Sequence, residues 1–129
     1  MRLGFLAAGL TNILGILIFS KAFTNDHLTR AFPELFSAWG CGVVILWGLA
    51  YMAAGEDDMY WLAGVFAVEK AYYVVSWLWW LSVRGRDQLP ALWQDDLLTG
   101  LFLSSYGVVD LAFGLYFLSV LLKAHRQGS

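Results

Sequence analysis

Four polar side chains sit where apolar residues surround them. Asn12, the adjacent pair Glu69 and Lys70, and Asp110 each fall near the middle of a long hydrophobic run. Two carboxylates, an ammonium and an amide at one depth can pair charges, exchange a proton, or hold the polar end of a small molecule. Successive residues on a helix point about 100° apart, so Glu69 and Lys70 cannot serve the same partner. Lys70 is expected to pair with Asp110. Glu69 then shares a face with Tyr72, Tyr73 and Ser76, whose hydroxyls can donate to it. Asp110 shares a face with Tyr106 and Gly107 on one side and Gly114 on the other, and Asn12, between Gly9 and Gly15, can complete the network. The glycines would let neighbouring helices approach closely. With Lys70 and Asp110 neutralising each other, Glu69 is left without a cation and is the candidate for proton exchange. Two readings stay open: a proton or ligand site, and a polar knot that only fixes helix register.

The elements that must position these groups are four apolar stretches, about 3–23, 35–54, 60–83 and 97–122. Of the 129 residues, 60% are hydrophobic and only 14% charged, against roughly 25% charged in a soluble domain. Each stretch is long enough, at about 1.5 Å per residue, to cross a hydrocarbon layer about 30 Å thick. None alternates as a barrel strand would, and in lipid only helices and closed barrels satisfy their own backbones. The expected fold is therefore an all-α membrane protein: one domain, four transmembrane helices in an up-down antiparallel bundle, both termini on the same side. The first stretch follows Arg2 like a secretion signal but exceeds the usual apolar core of one, so it is read as a retained helix. A charged side chain at the bilayer centre costs at least about 2.5–3.5 kcal/mol, so three of them must face inward and be paired or neutralised.

The connections add detail. Pro33 suits the start of the second helix, and Gly55, Glu56, Asp57 and Asp58 form a tight turn before the third. Gly85 can end the third helix, Pro90 breaks the following segment, and Asp95 or Asp96 can cap the fourth. Residues 84–96 then form a loop whose Leu89, Leu92 and Trp93 lie on the membrane interface. Trp61, Trp93 and Tyr60 are expected as interfacial anchors. Trp39, Trp47 and Tyr51 in the second helix, and Trp77, Trp79 and Trp80 in the third, are candidates either for lining an apolar pocket or for packing. Orientation is nearly balanced: Arg2, Lys123 and Arg126 stand on the side of the termini, and Lys21, Arg30, Arg84 and Arg86 on the other. The free amino group tips the choice towards cytoplasmic termini.

Several functions are disfavoured. A net charge of −2 gives no basic face for nucleic acid. The single cysteine, Cys41, permits no internal disulfide or multi-cysteine metal cage and reads as a packing residue. His27 follows one crossing and His125 follows four, so they belong to opposite faces and cannot share a haem. No metal set, cofactor, phosphate loop or nucleophile elbow is expected.

The pieces Gly9 to Gly15, Pro33 to Phe36, Trp47 to Tyr51, Val68-Glu69-Lys70 and Val109-Asp110-Leu111 resemble small bacterial four-helix membrane proteins of the DoxX-like kind. The resemblance implies a bacterial inner-membrane protein whose shared polar core includes Asn12, Lys70 and Asp110. Glu69 and the tryptophan-rich stretch depart from that pattern. DoxX relatives include subunits of quinone-linked oxidoreductases, but this chain carries no redox centre of its own.

The leading expectation is a non-enzymatic membrane protein that binds or moves a small or lipophilic molecule through the polar cluster, with Glu69 coupling it to protons. Its partners are then the bilayer, a lipophilic ligand and, for transport, further copies of itself. One alternative is a structural or accessory subunit of a larger membrane complex. Another is a small integral enzyme on a lipid-like substrate, with Glu69 and Asp110 as acid and base.

Overall fold

The computed structural model describes residues 2–56 and 61–128, and among them there is no strand. Seven α-helices follow one another: α1 (Arg2–Phe19), α2 (Asp26–Ala31), α3 (Pro33–Phe36), α4 (Ala38–Glu56), α5 (Leu62–Trp80), α6 (Arg86–Asp95) and α7 (Leu97–Gly128). A single π-helical turn, Leu81–Gly85, joins α5 to α6. Among the described residues two helices are long and apolar enough to cross a membrane, over Ala38–Gly55 and Leu97–Arg126, while the apolar part of α1, Leu3–Phe19, is shorter. In α5, Glu69, Lys70, two tyrosines and three tryptophans dilute the aliphatic residues.

The long helices pack as two antiparallel pairs, α1 with α4 and α5 with α7. Small residues set the first pair: a Cβ on Gly48 would meet the Gly9 carbonyl oxygen at 2.8 Å, so the backbones nearly touch. In the second pair, Gly107 leaves the space that the Trp77 ring fills, and the Trp77 indole donates to the Leu103 carbonyl at 2.8 Å. The Phe5 ring packs edge-on against Phe117 and Phe19 lies against Phe102, so α1 and α7 run antiparallel and the two chain ends share one end of the molecule. Buried apolar groups, many of them aromatic, form two clusters. Phe5, Tyr51, Phe66 and Phe117 fill the end near the termini. Phe32, Phe36, Trp80, Leu103 and Tyr106 fill the other.

Several element boundaries depart from the sequence expectation. The first helix stops at Phe19, not near Phe23. Lys21, Ala22 and Phe23 all take positive φ, at 51°, 55° and 71°, which costs an L-residue about 1–2 kcal/mol each. Hydrogen bonds hold them there. Ser20 accepts from the backbone N–H of Thr24 and Asn25. The Asn25 side chain donates to the Phe19 carbonyl and to Thr99 Oγ1, and accepts from Leu28 N as the cap of α2. The second long helix starts at Ala38, because Pro33–Phe36 forms its own short turn of helix with Pro33 opening it. Residues 84–96, expected as a loop, are mostly helical. Gly85 keeps right-handed helical angles, and Pro90 sits inside α6, where Leu92 is buried and Asp87, Gln94 and Asp95 are exposed. α7 runs past Leu122 to Gly128. Asp57, Asp58 and Tyr60 lie outside the described residues.

Candidate functional site

Between the two aromatic clusters lies one polar layer. Lys70 on α5 is 2% exposed and donates from Nζ to Asp110 Oδ1 on α7 at 2.9 Å. It also donates to Asn12 Oδ1 on α1 at 3.0 Å, and its ammonium stands 5.1 Å from the centre of the Tyr51 ring. Its three N–H groups thus face a carboxylate, an amide oxygen and an aromatic face. Asn12 is oriented by its other end, where Nδ2 donates to the Val44 carbonyl of α4 at 3.2 Å. The four long helices all contribute to this knot. Gly114 lets α5 come close, since a Cβ there would meet Lys70 Cβ at 3.1 Å. The pairing of Lys70 with Asp110 that the spacing suggested is present, with Asn12 attached to it.

The surroundings of Glu69 differ from the expectation. The Tyr51 hydroxyl of α4 donates to Oε1, while Oε2 is buried with no partner among the described residues. Tyr72 is 65% exposed and takes no part. Tyr73 is buried, but its backbone carbonyl, not its hydroxyl, accepts from Ser76 Oγ at 2.7 Å. Ser76 also pairs with the Tyr106 hydroxyl at 3.1 Å. Helix side chains lean towards the N-terminus of their own helix, so the Glu69 carboxylate points away from residues three to seven positions later. It reaches the Tyr51 end of the layer instead. Tyr51 is therefore the site residue that the grouping around Tyr72, Tyr73 and Ser76 missed. Its signal in the sequence is its place one turn beyond Trp47, on which its ring stacks.

Against this layer lies a cavity of about 110 Å³. Its polar side is formed by Asn12, Glu69, Lys70 and Asp110, with Tyr73 and Tyr106 beside them. Phe36, Phe102 and Val109 supply apolar wall. The pocket-lining tryptophans do not materialise. Trp39 is almost wholly exposed, and the Trp80 indole is buried and donates to the Ala31 carbonyl at 2.8 Å. Trp79 carries Arg84 over its face. Trp61 and Trp93 are exposed, with the Trp93 indole donating to Ser104 Oγ.

Among the described residues no three His, Cys, Asp or Glu side chains converge as a metal site. Cys41 is buried against the Phe36 carbonyl. The arrangement can hold a polar group against a neutralised ion pair, in a chamber whose wall also carries the tyrosines Tyr73 and Tyr106 among apolar side chains. No family model, no curated protein and no solved structure matches this chain.

Proposed function

We propose that the chain is a four-span integral membrane protein that binds a small lipophilic molecule in the cavity beside Asn12, Glu69, Lys70 and Asp110. The observation that carries this reading is the cavity itself, about 110 Å³, walled in part by the Lys70–Asp110 ion pair and by Glu69. A purely structural knot would be expected to close over its polar groups, because unfilled space and unmet hydrogen bonds both cost stability. An apolar cavity of about 150 Å³ takes up benzene, so the space suits a ring-sized fragment.

Membrane placement is supported by the outer surface. Only 28% of Ala38–Gly55 and 17% of Leu97–Arg126 is buried, too little for core helices of a soluble fold. Leu14, Ile18, Leu46, Val68, Val75 and Leu115 are all exposed, and lipid is the solvent that tolerates such faces. α1 and α5 complete the four spans in this reading, with the polar layer at mid-depth. The sequence resemblance alone is the ground on which we place the chain with the DoxX-like group and, with it, in a bacterial inner membrane. Glu69 is the group we assign to proton exchange with a bound ligand.

The test is a titration of the protein in lipid nanodiscs with toluene, followed by amide NMR. Saturable shifts at Ser105, Tyr106 and Asp110 that vanish when Gly15→Phe fills the cavity mouth are expected. A Cβ at Gly15 meets nothing within 4 Å, so the larger side chain has room. Shifts spread evenly over lipid-facing positions such as Val68 and Leu115, with none that saturate in the cavity, would contradict the reading.

A further inference from the structure

The polar atoms in the cavity wall sort into those already paired and those still open. Lys70 directs its hydrogens at Asp110, Asn12 and the face of the Tyr51 ring. Asn12 bridges Lys70 and the Val44 carbonyl. Ser76 gives its single hydroxyl hydrogen to the Tyr73 carbonyl, so the Tyr106 hydroxyl must be the donor in its contact with Ser76 Oγ. Glu69 Oε2 has no partner among the described residues but is closed off from the cavity. The direct partners of a bound polar group therefore lie elsewhere in the wall.

Two open groups remain there. Tyr73 lines the cavity and is 9% exposed, and its hydroxyl makes no hydrogen bond among the described residues. Unlike Glu69 Oε2, that hydroxyl is not sealed in. Asp110 gives Oδ1 to Lys70, whereas Oδ2 makes no hydrogen bond among the described residues and the side chain keeps 14% exposure. Thr11 adds another unpaired hydroxyl at the exposed edge of the cavity.

These two groups have opposite needs. The Tyr73 hydroxyl has a hydrogen to give, and Asp110 Oδ2 has a lone pair to fill. An ether or ketone answers only the first. An ammonium or a pyrrole-type N–H leaves the tyrosine hydrogen unmet. A carboxylate is repelled by Asp110. A neutral hydroxyl, carboxylic acid or primary amide answers both. Tyr73 and Asp110 wall one cavity of about 110 Å³, small enough for a single ring-sized molecule to fill the space between them.

Resting on the binding function proposed above, we infer that the ligand's polar group is neutral and both accepts and donates a hydrogen bond. It accepts from the Tyr73 hydroxyl and donates to Asp110 Oδ2, leaving the Lys70–Asp110 pair intact. Tyr73 and Asp110 then select the polar group, while Phe36, Phe102 and Val109 hold the apolar part.

The inference is tested in nanodiscs with three one-ring probes, each affinity corrected for uptake by empty nanodiscs. Toluene neither donates nor accepts, anisole only accepts, and phenol does both. Anisole is expected to bind wild-type protein about fivefold more tightly than toluene, and phenol at least about tenfold more tightly than anisole, the ratios that one neutral and one charge-assisted hydrogen bond give. In Tyr73→Phe, anisole is expected to fall to the level of toluene while phenol keeps its lead. The thermal unfolding midpoint should not fall, because the hydroxyl removed has no partner among the described residues. Anisole no tighter than toluene in the wild type, or an anisole advantage that survives Tyr73→Phe, would overturn the tyrosine contact. Phenol no tighter than anisole would overturn donation to Asp110. Equal binding of all three would overturn the inference and leave the binding function intact. Failure of all three to bind would overturn the binding function itself.

Discussion

Lys70 is an ammonium with almost no access to solvent, and its neighbours explain why it is tolerated. Moving an unpaired charge into so apolar a setting is prohibitive. Asp110 neutralises it, Asn12 gives it an oxygen and Tyr51 gives it a ring. Removing one member of such a pair strands the other. Asp110→Leu is expected to destabilise the protein by about 3–5 kcal/mol, whereas Lys70→Met combined with Asp110→Leu is expected to restore most of that loss. Reversible unfolding in detergent micelles would show it, and additive losses in the double variant would rule out the pairing. The pairing was legible from the sequence because both residues fall mid-run at matching depth. The partner of Glu69 was not, because spacing along α5 names residues on the same face but says nothing about what a neighbouring helix presents. Tyr51 approaches from α4, packed against Phe66 of α5 and Phe117 of α7.

Among the elements, the start of α7 shows how the layer is held in place from outside. Asp96 caps the helix, accepting from Thr99 N at 3.4 Å and Thr99 Oγ1 at 2.8 Å, and pairs with Lys21 at 3.2 Å. Burial pushes its carboxyl up, but the Thr99 hydrogen bonds and the Lys21 ammonium more than offset this and hold it below the usual aspartate value. A lowered folded-state value stabilises above the unfolded pKa and is lost as pH falls through the folded one. Asp96→Ala is therefore expected to cost about 1 kcal/mol at neutral pH, with the gap to wild type narrowing only in acid below the ordinary aspartate range. Unfolding midpoints measured across pH 2–7 would check this, and a gap independent of pH would refute it. The cap was legible, since a carboxylate before a long apolar run is a helix-start signal. The left-handed turn at Lys21–Phe23 was not, because three non-glycine residues with positive φ have no local signature. Local bonds to the Leu17, Ile18 and Ser20 carbonyls close the turn, and Asn25 ties it to Thr99 of α7. Pro90 misled in the other direction: it reads as a breaker, yet α6 continues through it to Asp95.

At the scale of the molecule, hydrophobic run length and mid-run polar residues were enough to give four long helices and the depth of their shared layer. They could not give the unequal packing that leaves α1 and α7 only loosely joined. That asymmetry depends on which glycines meet which side chains, and it makes a cavity where a uniform bundle would close. The whole functional reading requires the layer to lie in the middle of a membrane. Val68 is adjacent to Glu69 and 71% exposed, so it reports the height of the layer from the outer surface. The most direct measurement is electron paramagnetic resonance of a nitroxide on Val68→Cys, in a Cys41→Ala background, reconstituted in bilayers. High accessibility to oxygen and very low accessibility to a water-soluble nickel chelate, at a depth near the bilayer centre, is expected. Strong relaxation by the nickel chelate at this position would place the layer in water and contradict the membrane-embedded site.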